Sequence, residues 1–312
     1  MHNLKHQLTH VVRESLRPGQ DKHAQKGKRK PQDGRIYSYS TFDDRKKIVE
    51  EFGTWVQNQH PEIKLAIEID TCTVQEYLDQ KAKCGCKQDT LDTYRSNLRS
   101  LAREIESVYG TTKIEIAKIE RPKAVDPAPI RTSKGMDDDD FKRLVDSYRH
   151  PTDAGRCALL LSRAAGLRVA GCCWVLKEDI ELKDDMAIVH VREKGGRYRD
   201  VQIKDPQKIE ILKELYEQTA PRQHIVHRRD GRKIKVKSVM ASVRRKKDKL
   251  GLRGKYFYQG NHALRKSWAQ DEYDGFRKDH GKAETIQHVN VQLGHGVYRE
   301  EAMAARYVSN MH

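Results

Sequence analysis

A few cationic residues in this chain stand where the local pattern breaks. Arg168 sits in AAGLRVAG, just past a stretch rich in small residues, and Lys194 lies in EKGGRYR. His262 and Arg265 form an H-x-x-R in NHALRKSWAQ, a spacing that puts both on one face of a helix. His295 follows in QLGHG, and two late tyrosines close the series, Tyr298 in LGHGVYREE and Tyr307 in AARYVSNMH. Guanidinium, ammonium and imidazole groups can hold an oxyanion and move protons around it. A tyrosine hydroxyl, with a pKa of about 10, is a poor nucleophile at neutral pH unless such groups make its ionisation less costly. Taken singly, each residue has an ordinary reading. An arginine after Gly-Leu can cap a helix, a hairpin lysine is a solvated edge charge, and H-x-x-R arises by chance. Either tyrosine can be a surface or packing aromatic.

Other chemistries find no support. No G-x-x-x-x-G-K-[ST] stretch is present, and CGC at 84–86 and CC at 172–173 lack the C-x2-C pairs of a zinc site. No metal or cofactor is expected. The six cysteines, Cys72, Cys84, Cys86, Cys157, Cys172 and Cys173, are expected to be reduced and buried as small apolar residues.

Charge points to the substrate class. The 312 residues carry 61 Lys+Arg against 45 Asp+Glu, a net charge of +16, with 34% charged and 37% hydrophobic residues. Between Arg222 and Lys255 fourteen Lys/Arg face only Asp230 and Asp248. Such a density repels itself unless a polyanion is near, which favours nucleic acid. Arg228, Arg229, Lys235, Arg244, Arg245, Lys246 and Lys247 are the candidate DNA contacts. No apolar run approaches the roughly 18 residues of a membrane helix, and MHNLKHQLTHVVRES lacks an apolar signal core. A cytoplasmic protein is expected.

The elements that must position these residues divide the chain. Residues 1–35, with KGKRKPQDGR, read as a basic flexible arm with room for a short helix before Pro18. Residues 36–120 read as a small helical domain. Its first helix is opened by Thr41 and Asp44 ahead of Phe42, Val49, Phe52 and Val56. A second runs around VQEYLDQKAK, and a third carries Leu91, Tyr94, Leu98, Leu101, Ile105 and Val108. Residues 121–135, with three prolines, read as a linker. In residues 136–312, MDDDDFKRLVDSY and GRCALLLSRAAG read as helices, and MAIVHVREKGGRYRDVQI as a β-hairpin around Lys-Gly-Gly. Helices follow in DPQKIEILKELYEQ, KSVMASVRRKKDKL, HALRKSWAQDEY and ETIQHVNVQLG. The expected class is mainly α with one small sheet, α+β overall.

In this order the set resembles the tyrosine recombinases, the phage-type integrase family. The shared features are GLR after a buried helix, K-G-G in a hairpin, H-x-L-R opening a helix, L-G-H, and a late tyrosine. The resemblance runs from about residue 36 to the end and implies a helical core-binding domain ahead of a catalytic domain. It implies that Arg168 and Arg265 clamp a scissile phosphate and that Lys194 protonates the leaving 5′-oxygen. His262 becomes an acid–base partner, His295 a phosphate donor, and Tyr307 the nucleophile that forms a 3′-phosphotyrosine. It further implies double-stranded attachment-site DNA as partner, a homotetramer on that DNA, accessory DNA-bending or directionality proteins, and the life of a mobile element. The physical logic agrees. Two guanidinium forks can hold the non-bridging oxygens of a phosphorane-like transition state, and conserving the bond energy in the phosphotyrosine removes any need for ATP. A type IB topoisomerase-like cleavage and religation, or a non-catalytic DNA-binding regulator, are the alternative readings.

Three features differ from the family pattern. Gly171 stands three residues after Arg168, where the family often has an acid. YDGFRKDHGKAE lengthens the gap from Arg265 to His295 and is expected as a surface loop. Tyr307 follows His295 by twelve residues, more than is usual, on a helix expected within REEAMAARYV. Tyr298 is too close to His295 to reach back into a shared pocket, which favours Tyr307.

Overall fold

A computed structural model describes residues 3–20, 35–125, 134–192, 198–256, 260–295 and 306–311. The chain divides into two compact units, Met1–Ile130 and Arg131–His312, with the boundary inside the expected linker.

The first unit is helical. Helix α1 (Leu4–Glu14) is followed by α2 (Tyr39–Gln59), α3 (Thr71–Lys83) and α4 (Gln88–Tyr109). Helix α2 is capped three residues before the expected position: the Ser38 side chain accepts from Thr41 N at 3.2 Å. The apolar stripe of α4 is buried at Leu91, Leu98, Leu101 and Ile105, and Gly110 ends the helix in the left-handed region at φ 75°. The expectation of a flexible arm fails for residues 4–14. Leu4, Leu8, Val11 and Val12 are at most 2% exposed, and each such burial contributes about 1.5–3 kcal/mol. The short helix allowed for before Pro18 is thus present, but it packs into the core of the unit. Gly53 lets α1 approach α2, since a Cβ there would lie 3.1 Å from Leu8 Cδ1. Paired hydrogen bonds between Ser15–Arg17 and Ile36 then return the chain to this core. Residues 21–34, including most of KGKRKPQDGR, lie outside the described residues.

The second unit opens with α5 (Asp138–Asp146), α6 (Ala154–Ala165) and the short α7 (Val169–Cys172). Asp140 does more than complement the first turn of α5. It is buried and takes hydrogen bonds from Lys255 and the Tyr256 hydroxyl at 2.6 and 2.8 Å. Three antiparallel strands in order β1 (Ile180–Leu182), β2 (Ala187–Arg192), β3 (Tyr198–Ile203) form the sheet. Val189 pairs with Val201 and faces inward with it. The hairpin was legible, whereas β1, three residues long, carried no alternation to find. The hairpin tip 193–197, and Lys194 with it, lies outside the described residues.

Helices α8 (Pro206–Glu217), α9 (Val236–Lys249), α10 (Gly260–Phe276) and α11 (Lys282–Gln292) complete the unit. Helix α6 is its central element, buried at Cys157–Ser162, Ala164 and Ala165. The surface loop expected in YDGFRKDHGKAE shrinks to the exposed turn 277–281, with helix on both sides of it. Helix α10 runs through Phe276, and the Phe276 ring stacks against His280 at 3.7 Å and His288 at 4.0 Å, which packs the turn into a helical hairpin. Cys157, Cys172 and Cys173 are buried as expected, and burial pushes their thiols up to about 12, 12 and 11. Cys72 and Cys84 are exposed, contrary to that expectation. Among the described residues no helix is long and apolar enough to cross a membrane.

Candidate active site

The site is built from three chain breaks in the second unit. Helix α6 stops at Gly166, in the left-handed region at φ 61°, with its N–H donating to Ser162 O at 3.1 Å. Only glycine fits there: a Cβ would meet the Trp268 indole at 2.3 Å. The stop frees Leu167 to enter the core and leaves Arg168, half-buried, as the N-cap of α7.

Helix α10 supplies the second element. His262 and Arg265 share a face, as H-x-x-R requires. Arg265 is fully buried; its Nη1 donates to Gly166 O and its Nη2 to Leu293 O at 2.5 Å. One guanidinium thus ties the stop of α6 to the end of α11. Its planar fork of five donors suits this role, and holding two carbonyls does not exhaust it. Asp271, a turn and a half further along α10, pairs with Arg163 on α6 and, at 3.1 Å, with Lys208 on α8.

The third break follows α11. Gly294 turns the chain at φ 70° and His295 N donates to Asn290 O at 2.9 Å. His295 Nε2 lies 3.4 Å from Arg168 Nη2. Arginine only donates, so this contact assigns the acceptor role to Nε2.

Tyr307 joins these elements. Its ring is 5.2 Å from the His295 ring, 5.6 Å from the His262 ring and 5.4 Å from Arg265 Cζ, and the residue is 8% exposed. Val308 is buried in the same core. Arg168, His262, Arg265, His295 and Tyr307 are therefore gathered at one place. Tyr298 and most of REEAMAARYV lie outside the described residues, though Arg306 and Tyr307 are helical.

Burial, then the nearby Lys266, Arg265 and Arg168 charges, pushes the His262 imidazole down to about 4. It is neutral at pH 7 and able to accept a proton. Burial also lowers the Lys266 ammonium.

Two residues of the site escaped the sequence reading. Gln270 on α10 clamps the chain beyond Tyr307: its Oε1 accepts from Ser309 N at 2.9 Å and Asn310 N at 3.1 Å, and its Nε2 donates to Asn310 O at 3.1 Å. Arg199 on β3 donates to Gln292 O, anchoring the hairpin strand beside the end of α11. Gln270 belongs to no motif, and Arg199 lies in the EKGGRYR stretch without having been singled out there. The available signal was proximity: Gln270 follows Arg265 by five residues on the same helix, and Arg199 follows Lys194 by five in the hairpin.

The candidate DNA contacts separate. Arg228, Arg229, Lys235, Arg244 and Arg245 are exposed. Arg228, Arg229, Arg245 and Lys246 line a groove of about 470 Å3 together with Tyr148 and Arg149. Lys246 is partly buried, donating to Ser147 O with its ammonium 5.1 Å from the Tyr148 ring. Lys247 must be withdrawn from the set. It is 4% exposed and donates to Tyr256 O at 2.9 Å, because the α9 stripe of Val239 and Val243 turns position 247 inward.

The phage integrase family model matches residues 134–302, more than half of the chain. This chain belongs to that family and is a tyrosine-type site-specific DNA recombinase. No curated protein matches it. Among solved structures it is similar to the XerH site-specific recombinase in a post-cleavage complex with palindromic difH substrate. There the identity is 18% and the TM-score 0.64, over 97% of this chain and 90% of that one. It is similar to lambda integrase, solved as a tetramer on a Holliday junction, at 17% identity and TM-score 0.60, over 89% and 74%. It is also similar to the Tn1549 transposon integrase with circular-intermediate DNA, at 10% identity and TM-score 0.57, over 97% and 95%. At these identities the likenesses establish the fold, with its helices and small antiparallel sheet.

Proposed function

We propose that Tyr307 is the nucleophile of this recombinase and that Arg168, Arg265, His262, His295 and Lys194 serve the phosphate it attacks. The observation that carries this reading is the packing of the Tyr307 ring against His295, His262 and Arg265. The Tyr307 hydroxyl oxygen attacks phosphorus and the P–O5′ bond breaks, leaving a 3′-phosphotyrosine and a 5′-hydroxyl. Neutral His262 accepts the tyrosine proton, and Lys194 gives one to the departing oxygen. Arg168 and Arg265 neutralise the charge that builds on the non-bridging oxygens, and His295 adds a hydrogen bond. Attack by a 5′-hydroxyl of another strand reverses these steps, so strands are exchanged without ATP.

DNA lies, in this reading, along the basic groove of Arg228, Arg229, Arg245 and Lys246 and the exposed Lys235 and Arg244. The first unit acts as the core-binding domain through α4, where Arg95, Arg99 and Arg103 recur every fourth residue beside Arg121. Two duplexes require a homotetramer on attachment-site DNA, with accessory DNA-bending or directionality proteins and nucleoid association while bound. The physiological setting is integration or excision of a mobile element.

A suicide substrate, nicked so that religation is lost, tests the assignment. Wild type accumulates a covalent protein–DNA adduct on denaturing gels and Tyr307→Phe accumulates none. An adduct with Tyr307→Phe that Tyr298→Phe abolishes would transfer the role to Tyr298.

A further inference from the structure

Arg168 leaves a loop in which the two preceding peptide carbonyls each take a side-chain hydrogen bond. Gly166 O accepts from Arg265, and Leu167 O accepts from the Ser162 hydroxyl at 3.1 Å. The hydroxyl is itself held, because Asn261 Nδ2 donates to Ser162 Oγ and to Ala158 O, both at 2.9 Å. The Cys172 sulfur lies 3.4 Å from the same oxygen. Ser162, Asn261 and Cys172 are at most 3% exposed. The network therefore joins α6, α7 and the start of α10 in the dry core. It ends on the residue before Arg168 and begins on the residue before His262.

Apolar side chains of similar shape would fill these positions at little cost in stability. What the polar trio adds is direction. With both carbonyls bonded, neither the 166–167 nor the 167–168 peptide plane can rotate without leaving a buried acceptor unmatched. Support cannot come from Gly171 on the following helix. Glycine has no side chain to give it, and a Cβ there would only touch Val191 Cγ1 at 3.5 Å and Leu167 Cβ at 3.8 Å.

We propose that Ser162, oriented by Asn261, is a positioning residue for Arg168: its hydroxyl fixes the Leu167 carbonyl and so the direction in which the guanidinium meets the scissile phosphate. This rests on the reading that Arg168 holds that phosphate. Ser162 touches no reacting atom, so its loss reduces the rate of strand cleavage and not the affinity for DNA.

The test uses the full chain on the nicked suicide substrate at saturating protein. Ser162→Ala is expected to slow single-turnover adduct formation about tenfold, with the DNA dissociation constant within about twofold of wild type. Ser162→Thr, which restores the hydroxyl, is expected to recover most of the rate. An unchanged rate in folded Ser162→Ala overturns the proposal. So does a Ser162→Thr protein that is folded and equally slow, or an affinity that falls in step with the rate. Should Ser162→Ala not fold, Asn261→Ala carries the same test, with about threefold slowing expected because the hydroxyl keeps its acceptor but loses its guide. An Arg168→Ala variant that cleaves normally would refute the phosphate reading instead, and a slow one beside a normal Ser162→Ala refutes only this inference.

Discussion

The site and the run from Arg222 to Lys255 are made of the same cationic groups in opposite settings. Arg265 is buried, with its fork divided between Gly166 O and Leu293 O, and Arg168 leans on His295. In the basic run, Arg228, Arg229 and Arg244 stand in solvent near carboxylates of their own, Asp230, Asp153 and Asp248, at 3.3, 3.2 and 3.8 Å. Exposed pairs of that kind contribute little to stability, about 0–1 kcal/mol, and are screened by salt. Charge density therefore marks where a polyanion can be gathered, while isolated, desolvated cations mark where one phosphate can be held. Lys247 shows that density alone misleads: it belongs to the run by sequence and to the core by packing.

The sharpest way to break this contrast is Arg265→Ala. It removes the proposed phosphate donor and strands two buried carbonyls, each costing about 1–3 kcal/mol. Adduct formation should fall to background and the melting temperature should drop by several degrees or more. An Arg265→Ala protein as stable as wild type would mean that the buried setting is incidental. Gln270→Ala comes next. Without the clamp on residues 309 and 310, adduct formation should slow about tenfold through misplacement of Tyr307, with DNA affinity unchanged.

Acid should separate the two regions as well. His262 binds its proton only near pH 4 in the folded chain, against about 6.5 unfolded. Between those values the unfolded state binds more protons, so the contribution is complete above about pH 6.5 and is lost as pH falls toward 4. Thermal melts at pH 7 and pH 4.5 should show His262→Gln losing less stability on acidification than wild type, by on the order of 1–2 kcal/mol. An equal loss would place the depressed titration elsewhere.

The basic run should respond least in stability and most in salt dependence. Arg244→Glu with Arg245→Glu should leave the melting temperature nearly unchanged. It should weaken binding to all DNA sequences alike, lowering the log–log salt slope by about 0.9 for each phosphate that is no longer neutralised. A defect confined to one sequence would make these residues base readers. Lys247→Met should do the reverse, leaving DNA affinity intact, because no phosphate reaches a side chain bonded to Tyr256 O.

Much of this molecule was legible along the chain because its signals are local. The 3.6-residue stripe of α4, the strand alternation of β2 and β3, and the H-x-L-R start of α10 depend on neighbours a few residues away. Helix α1 was foreseen only as a short helix within a flexible arm, because its four apolar residues were averaged with the polar run after them, and β1 was missed because three residues have no period. Lys247 was misassigned because a run of like charges hides which of its members points inward.

The sequence by itself determined which residue types were available to hold and cleave a phosphodiester, their order, and the +16 charge that draws DNA. Only the tertiary structure decided which of them meet. Arg168 and His295 are separated by 127 positions and end 3.4 Å apart. What brings them there is a set of bonds to backbone carbonyls: Arg265 to Gly166 and Leu293, Ser162 to Leu167, Arg199 to Gln292. Every residue offers the same carbonyl whatever its side chain, so such bonds leave no motif, and burial is what gives them their strength.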